Sequence, residues 1–178
     1  MKKLILIGLA IVISTSCQQT EPRYFSSSPE IDTVKALLND YYDGNWDSWK
    51  THYADTAKIY SNTWKTAFSV QENQEALFKT ISSVSSYKFD EEPIFFEMTI
   101  NDEGQKWVNF WGNWRGIIKD SDVELEIPVH LTMHFVDGKI VEEYGFWNKS
   151  PFVTALIEVE ASKMEETQEA EEGEIVEL

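Results

Sequence analysis

The chain has 178 residues, which is enough for one ordinary domain with short appendages. It carries 15 Lys and Arg against 31 Asp and Glu, and its formal net charge is −16. Nucleic acid is therefore excluded as a partner, because binding to phosphate needs a clustered basic face and the sequence has none. One cysteine excludes an internal disulfide and a cysteine-based metal site, and we predict no metal and no cofactor.

Residues 1–16 have the pattern of a signal peptide. A positive start is followed by an apolar run at residues 4–13, which is too short to span a bilayer as a helix. Small polar residues then precede Cys17, and this arrangement resembles the bacterial lipoprotein signal, in which the cysteine is lipidated. Ser14 departs from that pattern, so a plain secretory signal or a short N-terminal anchor stays open as the alternative.

The remaining chain divides into a tether, a domain and a tail. Residues 17–28 are polar and predict a flexible tether, and residues 29–157 form the domain. Residues 158–178 contain nine Glu and one Lys, which predicts an acidic disordered tail, with a loose helix as the alternative. A lipidated Cys17 would make the protein an exported lipoprotein of a bacterial cell envelope, in the periplasm or on the outer surface. Its contact with the membrane would be the N-terminal lipid only.

Three helices are predicted in the first part of the domain. The first spans residues 29–43 behind a serine cap, has apolar residues on one stripe, and ends at Gly44. A shorter helix is predicted from Trp46 to Tyr53, where the aromatic residues have helical spacing. A capping box at residues 69–72 opens the third helix, which runs to about Val84.

The second part of the domain changes from helical to strand patterns. Pro93 interrupts the first long strand and places it at an edge or a bend. Asp137-Gly138 between two apolar runs is the strongest short-range signal for a hairpin. Helices followed by a strand meander predict an α+β domain, with the helices on one side of a bent antiparallel sheet. The predicted strands are residues 57–61, 87–100, 106–119, 123–135 and about 139–147.

The strand at residues 107–118 has two chemically different faces. One face is apolar with two glycines, which is typical of core where a sheet bends. The other face interleaves aromatic rings with amide and guanidinium groups, and two interpretations stay open for it. It is either a wall for a planar or sugar-like ligand or a dimer face. Its residues are Trp107, Asn109, Trp111, Asn113 and Arg115.

Three residues are candidates for acid–base catalysis, namely His52, His130 and Glu143. His52 with Glu143 would form an acid–base pair, since a carboxylate raises the pKa of a histidine and orients its ring. His130 shares a strand face with His134, but strand rise separates them by about 13 Å, which is too far for one metal ion. The alternative for each histidine is a surface or helix-end position without chemistry.

The order of these segments resembles the nuclear-transport-factor-2-like superfamily, and within it the SnoaL-like branch. The resemblance covers Pro29 to about Pro151. It implies a cone-shaped fold, the SnoaL-like or cystatin-like α+β barrel, in which a curved antiparallel sheet wraps three N-terminal helices and leaves a pocket at the open end. The stretches that carry it are the first helix, GNWDSWKTHYADTAKIY from residue 44, the helix at 70–84, WVNFWGNWRG from residue 107 and FVDGKIVEEYGFWN from residue 135.

The catalytic positions of the characterised enzymes of this superfamily are not kept. The base of the ketosteroid isomerases aligns with Ser61, and their two oxyanion donors align near Leu37 and Leu131. The base of the SnoaL-type cyclases aligns near Gly145, and Asn148 replaces the Asp that often ends that strand. Leucine neither removes a proton nor donates a hydrogen bond to an oxyanion, so the sequence argues against both chemistries.

The same resemblance implies a pocket and a partner. Trp147 matches a cavity-lining aromatic residue, Glu143 points into the cone, and members often pair through the convex sheet face, which predicts a homodimer. We therefore predict a lipid-anchored domain that binds a small, largely apolar ligand in an aromatic-lined pocket without catalysis. The alternative functions are an acid–base isomerase, dehydratase or cyclase with a non-standard His/Glu pair, or a scaffold domain. The predicted pocket residues are Trp49, Tyr53, Trp111, Leu131, Met133 and Trp147.

Overall fold

The computed structural model describes residues 21–176, so the predicted signal peptide and Cys17 lie outside the described residues. Helices and strands alternate in the first part of the described chain, and a run of strands follows before the last helix. They are β1 (Tyr24–Phe25), α1 (Pro29–Asp43), α2 (Trp46–Thr51), β2 (Tyr53–Ser61), α3 (Val70–Ile81), β3 (Val84–Phe89), β4 (Phe95–Ile100), β5 (Lys106–Ile118), β6 (Glu124–Val136), β7 (Lys139–Trp147) and α4 (Ser150–Val176).

Helix α1 is specified at both ends by its own residues. The Ser28 side chain accepts a hydrogen bond from the Ile31 backbone N–H at 3.2 Å, which satisfies a free donor of the first turn. Gly44 adopts a φ of 66° and its N–H bonds to the Asp40 carbonyl, which ends the helix. The apolar stripe faces the core, as the spacing predicts. Its buried residues are Ile31, Val34, Leu37, Leu38 and Tyr41.

The seven strands form one sheet with the order β1-β4-β5-β6-β7-β2, and β3 pairs separately with β5. All pairs are antiparallel except β2 with β7, which is parallel. The hairpin predicted at Asp137-Gly138 is confirmed, with φ values of 50° and 76° at the two residues. The curved sheet and the α+β class are confirmed as well.

The strand predicted at residues 87–100 is two strands in the structure. β3 pairs with the second half of β5, and β4 pairs with its first half. The chain leaves the sheet between them at residues 90–94, around Pro93. Proline has no N–H to donate to a neighbouring strand, which explains the interruption. The proline does not predict that β3 and β4 both pair with β5.

The core lies on the concave side of the sheet, against α1 and α2. Inward residues of the central strands interdigitate with the buried stripe of α1. The largest of the fully buried side chains come from α1 and from the strands β2, β5, β6 and β7. They are Ile31, Val34, Ile59, Val108, Phe110, Ile118, Met133 and Ile140.

Part of the segment predicted as a tether belongs to the sheet. Tyr24 and Phe25 form β1 and pair with Thr99 and Met98 of β4. Arg23 Nε donates a hydrogen bond to the Ile100 carbonyl at 3.0 Å. The polar composition of residues 17–28 gave no sign of this edge strand, because two paired residues leave no periodicity to read.

The second helix is shorter than predicted, and the tail has the helical one of its two predicted states. Helix α2 ends at Thr51, because Tyr53 already begins β2. Residues 158–176 continue α4 as a helix. Glu is the commonest residue of this segment and is a good helix former, which explains a helix with little packing. Among residues 21–176, no helix combines the length and the apolar character needed to cross a bilayer.

Candidate active site in the cone

The inward side chains of β6 and β7 form a ladder that runs along the concave face. Each rung pairs one residue of β6 with one of β7 across the antiparallel hairpin. We call the end of this ladder at Trp147 the mouth of the cone. From the mouth inward, the rungs are Val129 with Trp147, Leu131 with Gly145 and Met133 with Glu143.

A buried hydrogen bond joins Glu143 to Tyr53 at the third rung. The Tyr53 hydroxyl donates to Glu143 Oε2 at 2.6 Å, and the two residues are 4% and 7% exposed. The Trp49 ring packs on Tyr53 with 4.9 Å between centroids. The two side chains can meet because β2 pairs with β7 in parallel. This pairing sets Tyr53 opposite Ile140, which is three residues before Glu143 on β7.

The pair holds a carboxyl group that exchanges its proton near neutral pH. Burial raises the pKa of Glu143 to about 7, and the hydrogen bond from Tyr53 only partly opposes it. Burial, followed by the nearby Glu143 charge, raises the pKa of Tyr53 well above its usual value, so the phenol stays protonated. Within the described part of the chain, no ion pair involves Glu143.

Trp147 lies flat against the neighbouring rung. A Cβ on Gly145 would be 2.5 Å from the indole ring and 3.1 Å from Leu131 Cδ2, so only glycine leaves room for the ring. On the other side, Lys149 Nζ lies 5.5 Å from the ring centroid. The indole therefore occupies the inner face between the mouth and Glu143.

His52 is bonded to a different carboxylate from the one proposed for it. Its Nε2 lies 2.7 Å from Asp40 Oδ2, and the Ser48 hydroxyl donates to the same oxygen at 2.7 Å. Burial alone would raise the pKa of Asp40, but the hydrogen bonds from Ser48 and His52 lower it overall. His52 and Glu143 are therefore not a pair, and the Asp40 cluster joins α1 to α2.

His130 lies on the convex face rather than in the cone. Its ring is 4.7 Å from Trp111 and 6.2 Å from Phe146. Burial lowers the pKa of His130, so the neutral imidazole dominates at neutral pH. Trp111, which the sequence assigned to the pocket, is 37% exposed on the same convex face. Neither residue can contact Glu143 across the sheet.

The convex face carries an array of aromatic rings that we call the outer aromatic face. Trp64 and Phe95 are 73% and 60% exposed on it. The rings of Tyr60 and Tyr144 stack at 4.7 Å across β2 and β7. The residues of the outer aromatic face are Tyr60, Trp64, Phe95, Trp107, Trp111, Tyr144 and Phe146.

The inner ladder does not line either of the two best-formed grooves of residues 21–176. One groove lies beside Lys50 and Lys139 and reaches Tyr53, and the other lies beside Glu30 and Asp137. Neither is lined by the inner side chains Leu131, Met133 and Trp147. Five of the six predicted pocket residues face inward, where they are buried in the core or partly buried against it. They are Trp49, Tyr53, Leu131, Met133 and Trp147.

Solved structures with the same fold are numerous. A protein from Jannaschia sp. CCS1, named as a candidate SnoaL-like polyketide cyclase, is 15% identical with a TM-score of 0.58, and the alignment covers 78% of this chain and 96% of that one. A hypothetical protein from Catenulispora acidiphila DSM 44928 with a ketosteroid isomerase-like fold is 10% identical with a TM-score of 0.51, over 65% of this chain and 84% of that one. The chain has the same fold as these SnoaL-like and ketosteroid isomerase-like structures.

A third SnoaL-like structure, from Shewanella putrefaciens CN-32, is 12% identical with a TM-score of 0.56, over 74% of this chain and 98% of that one. It too is named as a candidate polyketide cyclase. No family model and no curated protein matches the chain. Identities this low establish the fold alone, so the chemistry has to be read from the residues of this SnoaL-like domain.

The sequence identified both members of the buried pair but not their bond. Glu143 was a catalytic candidate and Tyr53 a pocket residue, yet they are 90 residues apart in the chain. Alternation along β7 gave the inward direction of Glu143. No local pattern indicated which strand would lie beside it. Asp40 was missed altogether, since nothing in a helical stripe marks one acidic residue as the partner of His52.

Proposed function

We propose that this SnoaL-like domain binds a small, largely apolar ligand in its cone, with the Tyr53–Glu143 pair as the polar anchor. The single observation that supports this function is the pair itself, buried at the third rung of an otherwise apolar ladder. The aromatic side chains Trp49 and Trp147 supply the apolar surface on either side of it.

The pair is costly for the fold and therefore needs a reason. A buried carboxyl group without a cationic partner is desolvated, and one phenol hydrogen bond does not replace its lost hydration. Glu143 stands opposite Met133, which is fully buried, so an apolar residue would fit the site at least as well. Perturbed, buried titratable groups at the inner end of a cone are typical of functional sites.

Tryptophan fluorescence tests this function. The full chain is titrated with a panel of apolar ketones, alcohols and carboxylic acids, and we expect saturable quenching by at least one class. Glu143→Gln should weaken that ligand at least about tenfold, because one hydrogen bond to a charged or protonated carboxyl is lost. The matched control is Glu142→Gln, the next residue on the same strand, whose side chain bonds Tyr144 on the convex face. Absence of saturable quenching and of any thermal shift would refute the function.

A second candidate function is acid–base catalysis, and the pKa of Glu143 favours it. A carboxyl group with a pKa of about 7 both takes and returns a proton at neutral pH. In this mechanism Glu143 removes a proton from the carbon next to a carbonyl and returns it to the same or another carbon. Tyr53 keeps the carboxylate oriented. Glu143 returns the proton that it removed, so an isomerisation needs no further reactant. The histidines His52 and His130 take no part.

Exchange of carbon-bound hydrogen for solvent deuterium distinguishes catalysis from binding. Ketones of the same panel are incubated with the protein in D₂O and followed by NMR. We expect exchange that disappears in Glu143→Gln and persists in Glu142→Gln. Binding of a ketone without exchange would leave the domain a binding module.

We also propose that the domain is exported and held to a bacterial envelope membrane by a lipid on Cys17. The support is the sequence pattern of residues 1–17. Fractionation of cells that express the native chain or Cys17→Ala tests it, since only the native chain should be found with the membranes. We further propose a homodimer through the outer aromatic face, supported by its exposed rings at Trp64 and Phe95.

A further inference from the structure

The first turns of α4 pack against the core beside the mouth. The Phe152 ring is 6.4 Å from Trp114, and Ala155 is 4% exposed. Leu156 and Val159 also pack against the core. Only residues 148–149 separate Trp147 at the end of β7 from the start of α4, so this helix begins beside the mouth.

Helix α4 is attached more weakly than α3, the other helix at this end. Backbone hydrogen bonds fix α3 on both sides, between Phe68 and Ile59 before it and from the Lys119 N–H to the Ser83 carbonyl after it. Beyond the contacts of Val159, the described side chains of α4 are exposed. Weak attachment of a helix that covers a site is what a movable cover requires.

One ion pair holds the exposed part of the helix to the sheet. Lys163 Nζ lies 3.4 Å from Asp120 Oδ2 in the turn between β5 and β6. Both side chains are largely exposed, at 47% and 68%, and exposed pairs of this kind contribute little. The helix is therefore retained mainly by the apolar contacts of its first turns, Phe152 and Leu156 among them.

We propose that the first two turns of α4 are a lid that closes the cone in cis. Glu143 is four residues from Trp147, about 13 Å along the strand, and is only 7% exposed. Entry therefore requires that Phe152 and Leu156 lift away and that the Trp147 indole leaves Gly145. This role rests on the proposed function, since a cone that takes no ligand needs no lid.

The same helix supplies a matched control on its opposite face. Phe152 and Leu156 point inward, whereas Val153 and Ile157 are 50% and 64% exposed. Changing the inner pair to alanine removes the contacts of the lid. Changing the outer pair to alanine also removes apolar atoms from the helix, although fewer, and leaves the contacts intact.

Stopped-flow binding of the neutral dye Nile red to the full chain tests the lid. We expect the inner double variant, Phe152→Ala with Leu156→Ala, to bind at least about tenfold faster than the native chain, since opening limits entry. The outer double variant, Val153→Ala with Ile157→Ala, should bind at the native rate. Equal rates in all three chains, or no dye uptake by the inner variant, would overturn the lid.

A milder pair of variants keeps the test decisive if the inner double variant does not fold. Leu156→Ala alone removes one inner contact and should accelerate dye uptake, whereas Ile157→Ala on the exposed face should not. Equal uptake by these two single variants would contradict the lid. Failure of the proposed function would give a different result. Dye uptake would then still respond to the lid variants, but Glu143→Gln would not weaken the binding of any ligand of the panel.

Discussion

At the scale of single residues, the most informative group is the Glu143 carboxyl. It combines almost complete burial, a phenol as its hydrogen-bond donor and a pKa of about 7. The histidines that attracted attention in the sequence have ordinary roles by comparison. His52 joins two helices through Asp40, and His130 packs between aromatic rings on the convex face. Burial, more than residue type, determines which titratable group is unusual here.

Glu143→Gln should make the protein more stable at alkaline pH. Below about pH 4.5 the carboxyl is protonated in both the folded and the unfolded chain and has no effect. Between that pH and about 7 only the unfolded chain releases the proton, so native stability falls as the pH rises and then levels off. At pH 8 we expect the free energy of unfolding of Glu143→Gln to be roughly 1–3 kcal/mol higher than that of the native chain.

Urea unfolding at several pH values measures this difference. The gain of the Glu143→Gln variant should vanish at pH 4, where the native carboxyl is protonated in both states. Glu142→Gln serves as the control on the convex face and should show no such pH dependence. A constant difference at all pH values would mean that the carboxyl is not held protonated by burial.

Gly145 and Trp147 should be energetically coupled. Gly145→Ala places a methyl group 2.5 Å from the indole and should destabilise the fold by roughly 1–3 kcal/mol through overpacking. With Trp147→Ala already present, the same change should cost about 1 kcal/mol less, because only the flexible Leu131 side chain remains in contact. A double-mutant cycle by chemical denaturation gives this coupling, and strict additivity would disprove the stacking.

At the scale of elements, local signals predicted what local interactions fix. The bounds of α1 were predicted correctly, because Ser28 and Gly44 terminate it through their own backbone and side-chain chemistry. The start of α3 followed likewise from the capping box of Ser69 and Glu72. Strand β1 was not predictable, since its only determinant is the free edge of β4 more than seventy residues later.

Helix α4 should divide into a protected and an unprotected part in hydrogen exchange. Its first turns pack on the core, whereas residues 160–169 expose their side chains to solvent. A helix without tertiary contacts is marginal in water. We expect amides at residues 161–169 to exchange at least about a thousandfold faster than those in the middle of α1.

Mass spectrometry of deuterated peptides from α1 and α4 measures the two rates side by side. Equal protection along the whole of α4 would show that an interaction outside the described contacts holds its second half. The first turns, at residues 152–159, should exchange at an intermediate rate, in keeping with a helix that opens as a lid.

At the scale of the whole molecule, the exposed rings of the outer aromatic face predict association. If two copies bury this face, Trp111→Glu should convert a dimer into a monomer, because an unpaired carboxylate would be placed in the centre of the contact. Ile157→Glu is the control, since Ile157 is equally apolar and 64% exposed on α4. Sedimentation velocity distinguishes the two, and a native chain that is monomeric at high concentration would exclude the homodimer.

The cone could be predicted from the sequence, whereas the packing of its interior could not. The family resemblance placed Trp147 and Glu143 on the inner side, and the structure pairs Glu143 with Met133 across the hairpin. Whether inward side chains surround a space or fill it depends on their combined volumes and rotamers, which no periodicity encodes. Trp111 shows a further limit, since its strand face stayed open between a ligand wall and a dimer face, and the structure places it on the convex surface.

The parallel pairing of β2 with β7 also determines when the domain can finish folding. β2 is synthesised early, yet the bond from Tyr53 to Glu143 joins residues 90 positions apart. A chain that emerges from its N-terminus, at the ribosome or across a membrane, must therefore carry β2 without its strand partner until the hairpin of β6 and β7 has emerged as well. During that interval both edges of β2 are open to wrong strand partners, and the order in which the chain emerges decides how long the hazard lasts.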